Sequence, residues 1–287
     1  MLGAIRATFS LLKLRIGIAI AASALGGMAA AGGLRPSWQI AGFAVAVLGA
    51  SGAAGAFNQY YERDIDRLMR RTRSRPFADG MFRPSLWWPA AFIVLLAISL
   101  LLAAMTGGAL ATCFVFLGAF TYGIVYTVWL KRRTAWNIVV GGLSGSFAVL
   151  AGAAAVDSSL RPEPLALAVI LFLWTPPHFW SLAAARRDDY REARVPMLPV
   201  VATDHAWTLA VLAHSAALFV VSLVPLWFGA GLPYALGAGT GGLVFLWKSI
   251  ALYRSPTKQV ALSNFFASLL QLTLLLTGII LDGAIGH

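Results

Sequence analysis

The sequence predicts an all-α polytopic membrane protein, and its composition leads to this prediction. Hydrophobic residues make up 59% of the 287 residues, charged residues make up only 11%, and the mean hydropathy is +0.78. These values exclude an ordinary soluble globular protein. Because a spanning helix takes ~20 apolar residues, the chain has room for roughly nine or ten spans and for no sizeable extramembrane domain.

Hydropathy along the chain predicts nine transmembrane helices within a single domain over residues 1–287. The nine apolar segments are 14–34, 38–58, 86–106, 108–129, 136–156, 164–185, 207–228, 231–250 and 260–281. Short glycine-containing turns at 105–108 and 229–233 separate the third segment from the fourth and the seventh from the eighth. We therefore expect each of these two pairs to form a tight hairpin.

The distribution of lysine and arginine predicts the orientation of the chain. If successive connections alternate across the membrane, 20 of the 22 basic residues fall on one side, and only Arg35 and Arg161 fall on the other. Basic residues favour the cytoplasmic side, so we expect a cytoplasmic N-terminus and a C-terminus outside. The formal net charge of +11 is then mainly a topology signal and an attraction to anionic membrane lipids, and it does not indicate a nucleic-acid partner.

An acidic cluster ends the second predicted helix. Asn58, Glu62 and Asp66 are four residues apart, so their side chains project from one helix face, whereas Asp64 points largely the other way. Two carboxylates at this spacing repel each other unless a cation lies between them. Mg²⁺ takes oxygen ligands and is commonly held by one or two carboxylates together with substrate phosphates. The cluster therefore predicts a magnesium site that uses these three side chains.

Basic residues next to this cluster predict a diphosphate site. Five arginines lie within residues 67–75, and guanidinium groups fork onto phosphate oxygens. The alternative is a loop that binds lipid headgroups. Two further basic residues on the same predicted edge are candidates to reach the diphosphate. The candidate diphosphate ligands are Arg67, Arg70, Arg71, Arg75, Lys131 and Arg132.

A second acidic cluster follows the sixth predicted helix. Asp188 and Glu192 are four residues apart, and Asp189 and Glu192 are three apart, so they share a side if the helix continues. Two acid-rich clusters, each at the end of a span, could hold a pair of magnesium ions around one diphosphate. A salt-bridged loop is the alternative for this cluster taken alone.

These strings carry a resemblance to a known family. The first cluster resembles the aspartate-rich signature of the UbiA-type intramembrane aromatic prenyltransferases. Within that family, the heme O synthases have strings similar to those at 69–76, 129–134, 137–142 and 195–201, and the most specific match is Thr-Pro-Pro-His-Phe-Trp at 175–180. The resemblance covers roughly residues 10–205, whereas the last three predicted helices resemble the family only in hydropathy.

The resemblance implies a UbiA-type helical bundle in a bacterial cytoplasmic membrane, with its active site facing the cytoplasm. It implies transfer of a farnesyl group from farnesyl diphosphate to a vinyl group of heme B, with Mg²⁺ as cofactor. It also implies partners, namely membrane lipids and an association with heme A synthase or terminal oxidase assembly. The implied metal ligands and catalytic residues are Asn58, Glu62, Asp66 and Asp189, with Asp188 as a further metal ligand. Lys131 joins the catalytic candidates because it lies on the same predicted edge as the acidic cluster.

The sequence departs from the family at one position and offers two candidates for heme contact. Relatives with other acceptors carry an acid four residues before Asp189, where this chain has Ala185. We expect Pro176 and Pro177 to break the sixth helix, which would open space beside His178 and Trp180 for a porphyrin. A purely structural kink at His178 is the alternative.

Two other functions remain open at this point. One is a prenyltransferase with a quinone-ring or chlorophyll-type acceptor, against which the string at 175–180 argues. The other is a secondary transporter, which should bury acidic residues near the centre of a span. The predicted acids lie instead at the cytoplasmic ends of helices, which favours the transferase.

Overall fold

A computed structural model describes residues 2–33 and 37–285, which are helical with connecting turns and contain no β-strand. Arg35 and the last residue of the first predicted span lie outside the described residues. The helices are α1 Leu2–Leu11, α2 Leu14–Ala30, α3 Ser37–Tyr61, α4 Arg63–Leu68, α5 Trp87–Phe120, α6 Asn137–Gly141, α7 Leu143–Val156, α8 Pro162–Ala185, α9 Arg187–Glu192, α10 Leu198–Val201, α11 Asp204–Val221, α12 Val224–Trp227, α13 Leu232–Arg254 and α14 Lys258–Ile285.

Seven helical stretches in the described part of the chain are long and apolar enough to cross a membrane. They are Trp38–Tyr61, Trp87–Leu130, Asn137–Val156, Pro162–Ala185, Asp204–Trp227, Leu232–Arg254 and Lys258–Ile285. This number differs from the nine predicted segments for two reasons. Helix α2 is apolar but has only 17 residues, and the stretch Trp87–Leu130 joins the third and fourth predicted helices.

The stretch Trp87–Leu130 has 44 residues and contains a sharp change of direction at Gly108. Gly108 has φ 84° and ψ −179°, which L-residues with a side chain rarely adopt. The first half contacts α3 with Thr106 at Gly42 and Ser99 at Gly49, so it runs antiparallel to α3. The second half returns beside α3, where Gly123 lies next to Phe57 and Ala54. The chain therefore reverses at Gly108, and both halves pack on α3.

The end of this stretch, Thr121–Leu130, forms a π-helix rather than the α-helix that the hydropathy pattern suggested. The backbone N–H of Lys131 donates to the carbonyl of Tyr126, five residues earlier. Such segments are rare and frequent at functional sites. The wider turn sets the direction in which Tyr122, Tyr126 and Lys131 leave the helix, and all three lie at the candidate site described below.

Glycine allows several helices to approach each other more closely than any side chain would permit. A Cβ atom added at Gly152 of α7 would lie 1.7 Å from the carbonyl oxygen of Ala24, and one added at Gly27 of α2 would lie 2.0 Å from that of Val149. On α3, Gly55 lies against the aliphatic stem of Lys13. Close packing of this kind is typical of membrane helices, and it brings the start of α2 to the end of α3.

Helix α8 is continuous from Pro162 to Ala185, so the expectation that Pro176 and Pro177 break it was wrong. Proline removes one backbone hydrogen bond, but neighbouring helices hold proline-containing spans together in membrane proteins. Both prolines are buried, and α8 packs against α2, α7, α11 and α14. The surrounding helices therefore keep α8 helical across the two prolines.

Candidate active site

Three oxygen-bearing side chains form a buried row at the junction of α3 and α4. Asn58 is 2% exposed, Glu62 is 0% exposed and Asp66 is 1% exposed. The helix is interrupted at Glu62, but the N–H groups of Glu62 and Asp66 still donate to the carbonyls of Asn58 and Glu62, each at 2.9 Å. This unbroken i to i−4 pattern keeps the three side chains on one face. We call these three residues the acidic row.

Each member of the acidic row is bonded to a basic side chain from another part of the chain. Burying a carboxylate without such a partner would be strongly unfavourable. The three basic residues come from the α1–α2 junction, from the end of the π-helix and from the loop after α4. The three pairs are Lys13 Nζ with Asn58 Oδ1 at 2.6 Å, Lys131 Nζ with Glu62 Oε2 at 2.5 Å, and Arg75 Nη1 with Asp66 Oδ2 at 2.8 Å.

The amide of Asn58 has a defined orientation. Its Nδ2 donates to Thr127 Oγ1 at 3.0 Å, and Thr127 uses its own hydroxyl hydrogen to donate to the carbonyl of Tyr122 at 2.8 Å. Thr127 can therefore only accept from Asn58, so the amide oxygen of Asn58 faces the basic side. Next to it, the buried Oε1 of Glu62 has no hydrogen-bond partner within the described residues. The row thus presents oxygen acceptors that a cation would satisfy.

Lys13 is a site residue that the sequence analysis counted only as a topology signal. It occupies a left-handed conformation, with φ 49° and ψ 45°, at the start of α2. Its ammonium group also donates to the hydroxyl of Tyr122 at 2.9 Å. Burial lowers the pKa of the Lys13 ammonium well below its ordinary value, and the charge of Arg75 lowers it further. One pattern in the sequence could have indicated this role of Lys13. The lysine directly precedes the first span, and small residues on α3 allow it to approach that helix.

Two tyrosines line the same site. The rings of Tyr122 and Tyr126 stack with centroids 5.7 Å apart and an interplanar angle of 12°. Lys131 Nζ lies 5.7 Å from the centroid of the Tyr126 ring, and Lys13 Nζ lies 5.5 Å from that of Tyr122. The negative faces of the rings therefore lie beside the basic groups.

One predicted diphosphate ligand of the arginine-rich loop after α4 bonds to the acidic row. Arg75 reaches Asp66, and Thr72 Oγ1 donates to the carbonyl of Asp66 at 3.1 Å, which holds the loop in place. Arg67, in the last turn of α4, donates from Nε to the carbonyl of Ala78 in the loop at 3.0 Å. The two remaining predicted ligands, Arg70 and Arg71, are exposed.

Arg132 lies away from the acidic row, although it was expected beside Lys131. Its guanidinium forms two hydrogen bonds with Asp64, at 2.6 and 2.7 Å, and lies 5.6 Å from the centroid of the Tyr61 ring. The Arg132 guanidinium holds the pKa of the Asp64 carboxyl below its ordinary value. Asp64 projects from the other face of α4, and this exposed carboxylate draws Arg132 to that face.

The second acidic cluster forms the short helix α9, which Arg186 separates from α8. Asp189 is buried, and its Oδ2 has no hydrogen-bond partner among the described residues. Asp188 was expected to join it as a metal ligand, but its side chain is 97% exposed and lies 3.5 Å from Arg191. Adjacent residues on a helix point about 100° apart, so the two carboxylates face different directions. Ala185, four residues before Asp189, is buried in an apolar cluster.

No group of three or more His, Cys, Asp or Glu side chains in the described ranges is arranged to hold a metal ion. The two acidic clusters lie on different helices, the first at the junction of α3 and α4 and the second on α9. They are connected through packing, because Tyr190 of α9 lies in the same apolar cluster as Ile65 of α4 and Tyr126. The acidic row, with two carboxylates and one amide, is the set of oxygens that the structure brings together.

The two predicted heme contacts lie on different sides of α8. His178 faces α14, where its Nδ1 lies 2.7 Å from Ser268 Oγ. Trp180 faces α11, where its ring meets that of His214 edge to face at 5.2 Å. Two residues along a helix correspond to a rotation of about 200°, so these side chains do not form one surface.

Comparisons with known proteins agree with the fold. Residues 20–270 match the model of the UbiA prenyltransferase family. The chain is similar to two proteins of Paramagnetospirillum magneticum, Protoheme IX farnesyltransferase 2 and Protoheme IX farnesyltransferase 1. It is 55% identical to the former over 95% of both chains, and 42% identical to the latter over 96% of this chain and 98% of the relative.

Solved structures show the same fold at low sequence identity. A digeranylgeranylglyceryl phosphate synthase superimposes with a TM-score of 0.76 at 15% identity, covering 97% of this chain and 98% of that one. A UbiA homologue from Archaeoglobus fulgidus, bound to DMAPP and Mg²⁺, gives 0.73 at 13% identity, covering 93% of this chain and 98% of the homologue. From its fold and its sequence relatives, the chain is an integral membrane protein that belongs to the UbiA prenyltransferase family.

Proposed function

We propose that the protein transfers a farnesyl group from farnesyl diphosphate to a vinyl group of heme B, giving heme O and diphosphate. The similar proteins of P. magneticum are protoheme IX farnesyltransferases, and the identity extends over almost the whole chain. The observation in the structure that carries the proposal is the buried acidic row with its three basic partners. This arrangement collects charges of both signs in a chain that otherwise has few of them.

The donor set of the acidic row fits magnesium. Asn58 Oδ1 and the carboxylates of Glu62 and Asp66 are hard oxygen ligands, and the unpaired Glu62 Oε1 is a buried acceptor that a cation would satisfy. The bound Mg²⁺ and DMAPP of the A. fulgidus homologue support this assignment. When bound, magnesium supplies neutralisation of the charge on the leaving diphosphate. We also assign Asp189 to this site, because it is buried with an unpaired oxygen in the neighbouring helix.

The basic residues of the site are proposed to bind the diphosphate. Lys13, Lys131 and Arg75 compensate the charge of the acidic row and lie where they can donate to phosphate oxygens as well. The four predicted diphosphate ligands that do not bond to the acidic row are proposed to attract the diphosphate to the site through their charge. These four residues are Arg67, Arg70, Arg71 and Arg132.

Chemistry at this site requires positioning and electrostatic stabilisation. The bond between the allylic carbon and the diphosphate oxygen breaks, and the electron pair leaves with the diphosphate. The terminal vinyl carbon of heme B forms the new carbon–carbon bond, and water adds to the inner vinyl carbon and releases a proton. The stacked rings of Tyr122 and Tyr126 present π faces that stabilise the allylic cation. The apolar interior accepts the farnesyl tail. His178 of α8 is proposed to contact the heme, whereas Trp180 faces the opposite side of the helix.

We propose nine crossings for the single domain over residues 1–287. They are α2, α3, the two halves of Trp87–Leu130 on either side of Gly108, and the remaining five apolar stretches. At ~1.5 Å per residue, 44 helical residues would extend about 66 Å, which is twice the ~30 Å of a bilayer core. The distribution of lysine and arginine supports a cytoplasmic N-terminus, an external C-terminus and an active site that faces the cytoplasm in the bacterial cytoplasmic membrane. The product would then pass to heme A synthase or to terminal oxidase assembly.

An acceptor assay tests the proposal. Purified protein in detergent is supplied with Mg²⁺, farnesyl diphosphate and either heme B or a phenolic quinone-ring acceptor, and the products are identified by mass spectrometry. We expect hydroxyethylfarnesyl heme from heme B and no prenylated phenol. Prenylation of the phenol without reaction of heme B would overturn the acceptor assignment, and absence of both products would overturn the transferase assignment.

A further inference from the structure

Ser268 of α14 binds two aromatic side chains of α8. It is fully buried, and its Oγ lies 2.7 Å from Nδ1 of His178. Its backbone carbonyl accepts a hydrogen bond of 2.8 Å from Nε1 of Trp174. The ring of His178 stacks on the ring of Trp174, with centroids 4.1 Å apart. One residue therefore fixes both members of a stacked pair.

The surroundings of His178 favour one tautomer of its ring. The hydroxyl of Ser268 has the carbonyl of Phe265 as an acceptor at 2.6 Å, so its Oγ can accept a hydrogen bond from His178. Nδ1 has this oxygen within hydrogen-bond distance, whereas Nε2 has no acceptor among the described residues, so protonation at Nδ1 leaves no ring N–H unsatisfied. A neutral imidazole protonated at Nδ1 has its lone pair on Nε2.

Nε2 of His178 is unbonded and its ring is held in place, as in a metal-binding histidine. It forms no hydrogen bond with the described residues. The ring is held in place by Ser268 and by stacking on Trp174 and on Phe265, whose centroid lies 4.6 Å away. Metal-binding histidines almost always donate their second ring N–H to an oxygen, which fixes the tautomer and orients the ring. Ser268 supplies that oxygen here.

We propose that Ser268 is a positioning residue that holds His178 as an axial ligand, through Nε2, of the iron of heme B. This inference rests on the proposed function, because it takes heme B as the acceptor. Ligation at the iron would hold the porphyrin by its centre and leave the vinyl groups at its edge free to react. It also assigns a role to α14.

The test compares two porphyrins that differ only in the metal. The affinity of the full-length protein for ferric heme B and for metal-free protoporphyrin IX is measured, together with the absorption and paramagnetic resonance spectra of the bound heme. We expect Ser268→Ala to weaken heme binding about tenfold or more and to leave protoporphyrin binding unchanged. His178→Ala should remove the histidine signature of the iron, and added imidazole should restore it. Ser268→Thr, which keeps the hydroxyl, should behave as wild type.

Ser215→Ala is the matched control. Ser215 is also a buried serine between helices, but its hydroxyl bonds Val211 and Ser249. Equal weakening of both porphyrins in Ser268→Ala would show a packing role and overturn the inference, and so would unchanged heme affinity and spectra in His178→Ala. If the wild type still converts heme B in those cases, the proposed function stands. A wild type that does not convert heme B overturns the proposed function itself.

Discussion

Lys13 and Asn58 are 45 residues apart in the sequence, and their side chains meet in a hydrogen bond of 2.6 Å at the centre of the site. Gly55 leaves room for the stem of Lys13, because a Cβ added there would lie 3.3 Å from Cδ of Lys13. It makes the α1–α2 junction part of the candidate active site. The same basic group reaches Tyr122, so three separate segments of the chain are joined at one ammonium.

Replacement of Lys13 by methionine should reduce farnesyl transfer while the protein remains folded. The variant keeps the length of the side chain and removes a charged donor next to the leaving diphosphate, so we expect a loss on the order of 100-fold in turnover. Arg15→Met makes the same change of net charge two residues away, at an exposed position, and should stay close to wild type. Equal losses in the two variants would mean that Lys13 acts only through the overall charge.

Replacement of Lys131 by methionine should destabilise the protein, because it leaves Glu62 buried without its partner. Removing one member of a buried ion pair costs ~3–5 kcal/mol of unfolding free energy. The double variant Lys131→Met/Glu62→Gln should recover most of this loss in a thermal unfolding experiment and remain inactive. Arg132→Met breaks the exposed pair with Asp64 and should cost less than ~1 kcal/mol. A similar cost for the two single variants would contradict the role assigned to burial.

Replacement of Gly152 by alanine should disturb the packing of α2 on α7. The added Cβ would lie 1.7 Å from the carbonyl oxygen of Ala24, so the helices must separate, at a cost of ~1–3 kcal/mol or more. Gly239 of α13 has no atom within 4 Å of an added Cβ, so Gly239→Ala should keep or slightly raise the stability. The fraction of monodisperse protein after heating measures the stability of both variants. A Gly152→Ala variant as stable as Gly239→Ala would show that α2 and α7 are not in close contact.

Local patterns in the sequence predicted the parts of the site that lie within one helix. The four-residue spacing of Asn58, Glu62 and Asp66 sufficed because a helical repeat determines which side chains share a face. The pairing of Lys131 with Glu62 was not accessible, since it depends on a π-helical turn that hydropathy does not detect. The same limit explains the continuous α8, where neighbouring helices outweigh the local effect of Pro176 and Pro177.

The spacing of residues in the sequence also did not predict which side chains are exposed. Asp188 and Asp189 are adjacent acids in the sequence, but only the side chain of Asp189 is buried, because adjacent residues on α9 point about 100° apart. Likewise, Asp64 attracts Arg132 to the exposed face, and the sequence had grouped Arg132 with Lys131. Both differences follow from the packing of α4 and α9 rather than from the residue types.

The central claim is that the acidic row binds the diphosphate together with magnesium, and the most direct test is the affinity for farnesyl diphosphate with and without Mg²⁺. Wild-type protein should bind farnesyl diphosphate at least about tenfold more tightly when Mg²⁺ is present. Asp66→Asn should lose this difference, whereas Asp64→Asn, on the exposed face of the same helix, should keep it. An affinity of Asp66→Asn that still rises with Mg²⁺ as in the wild type would contradict the account.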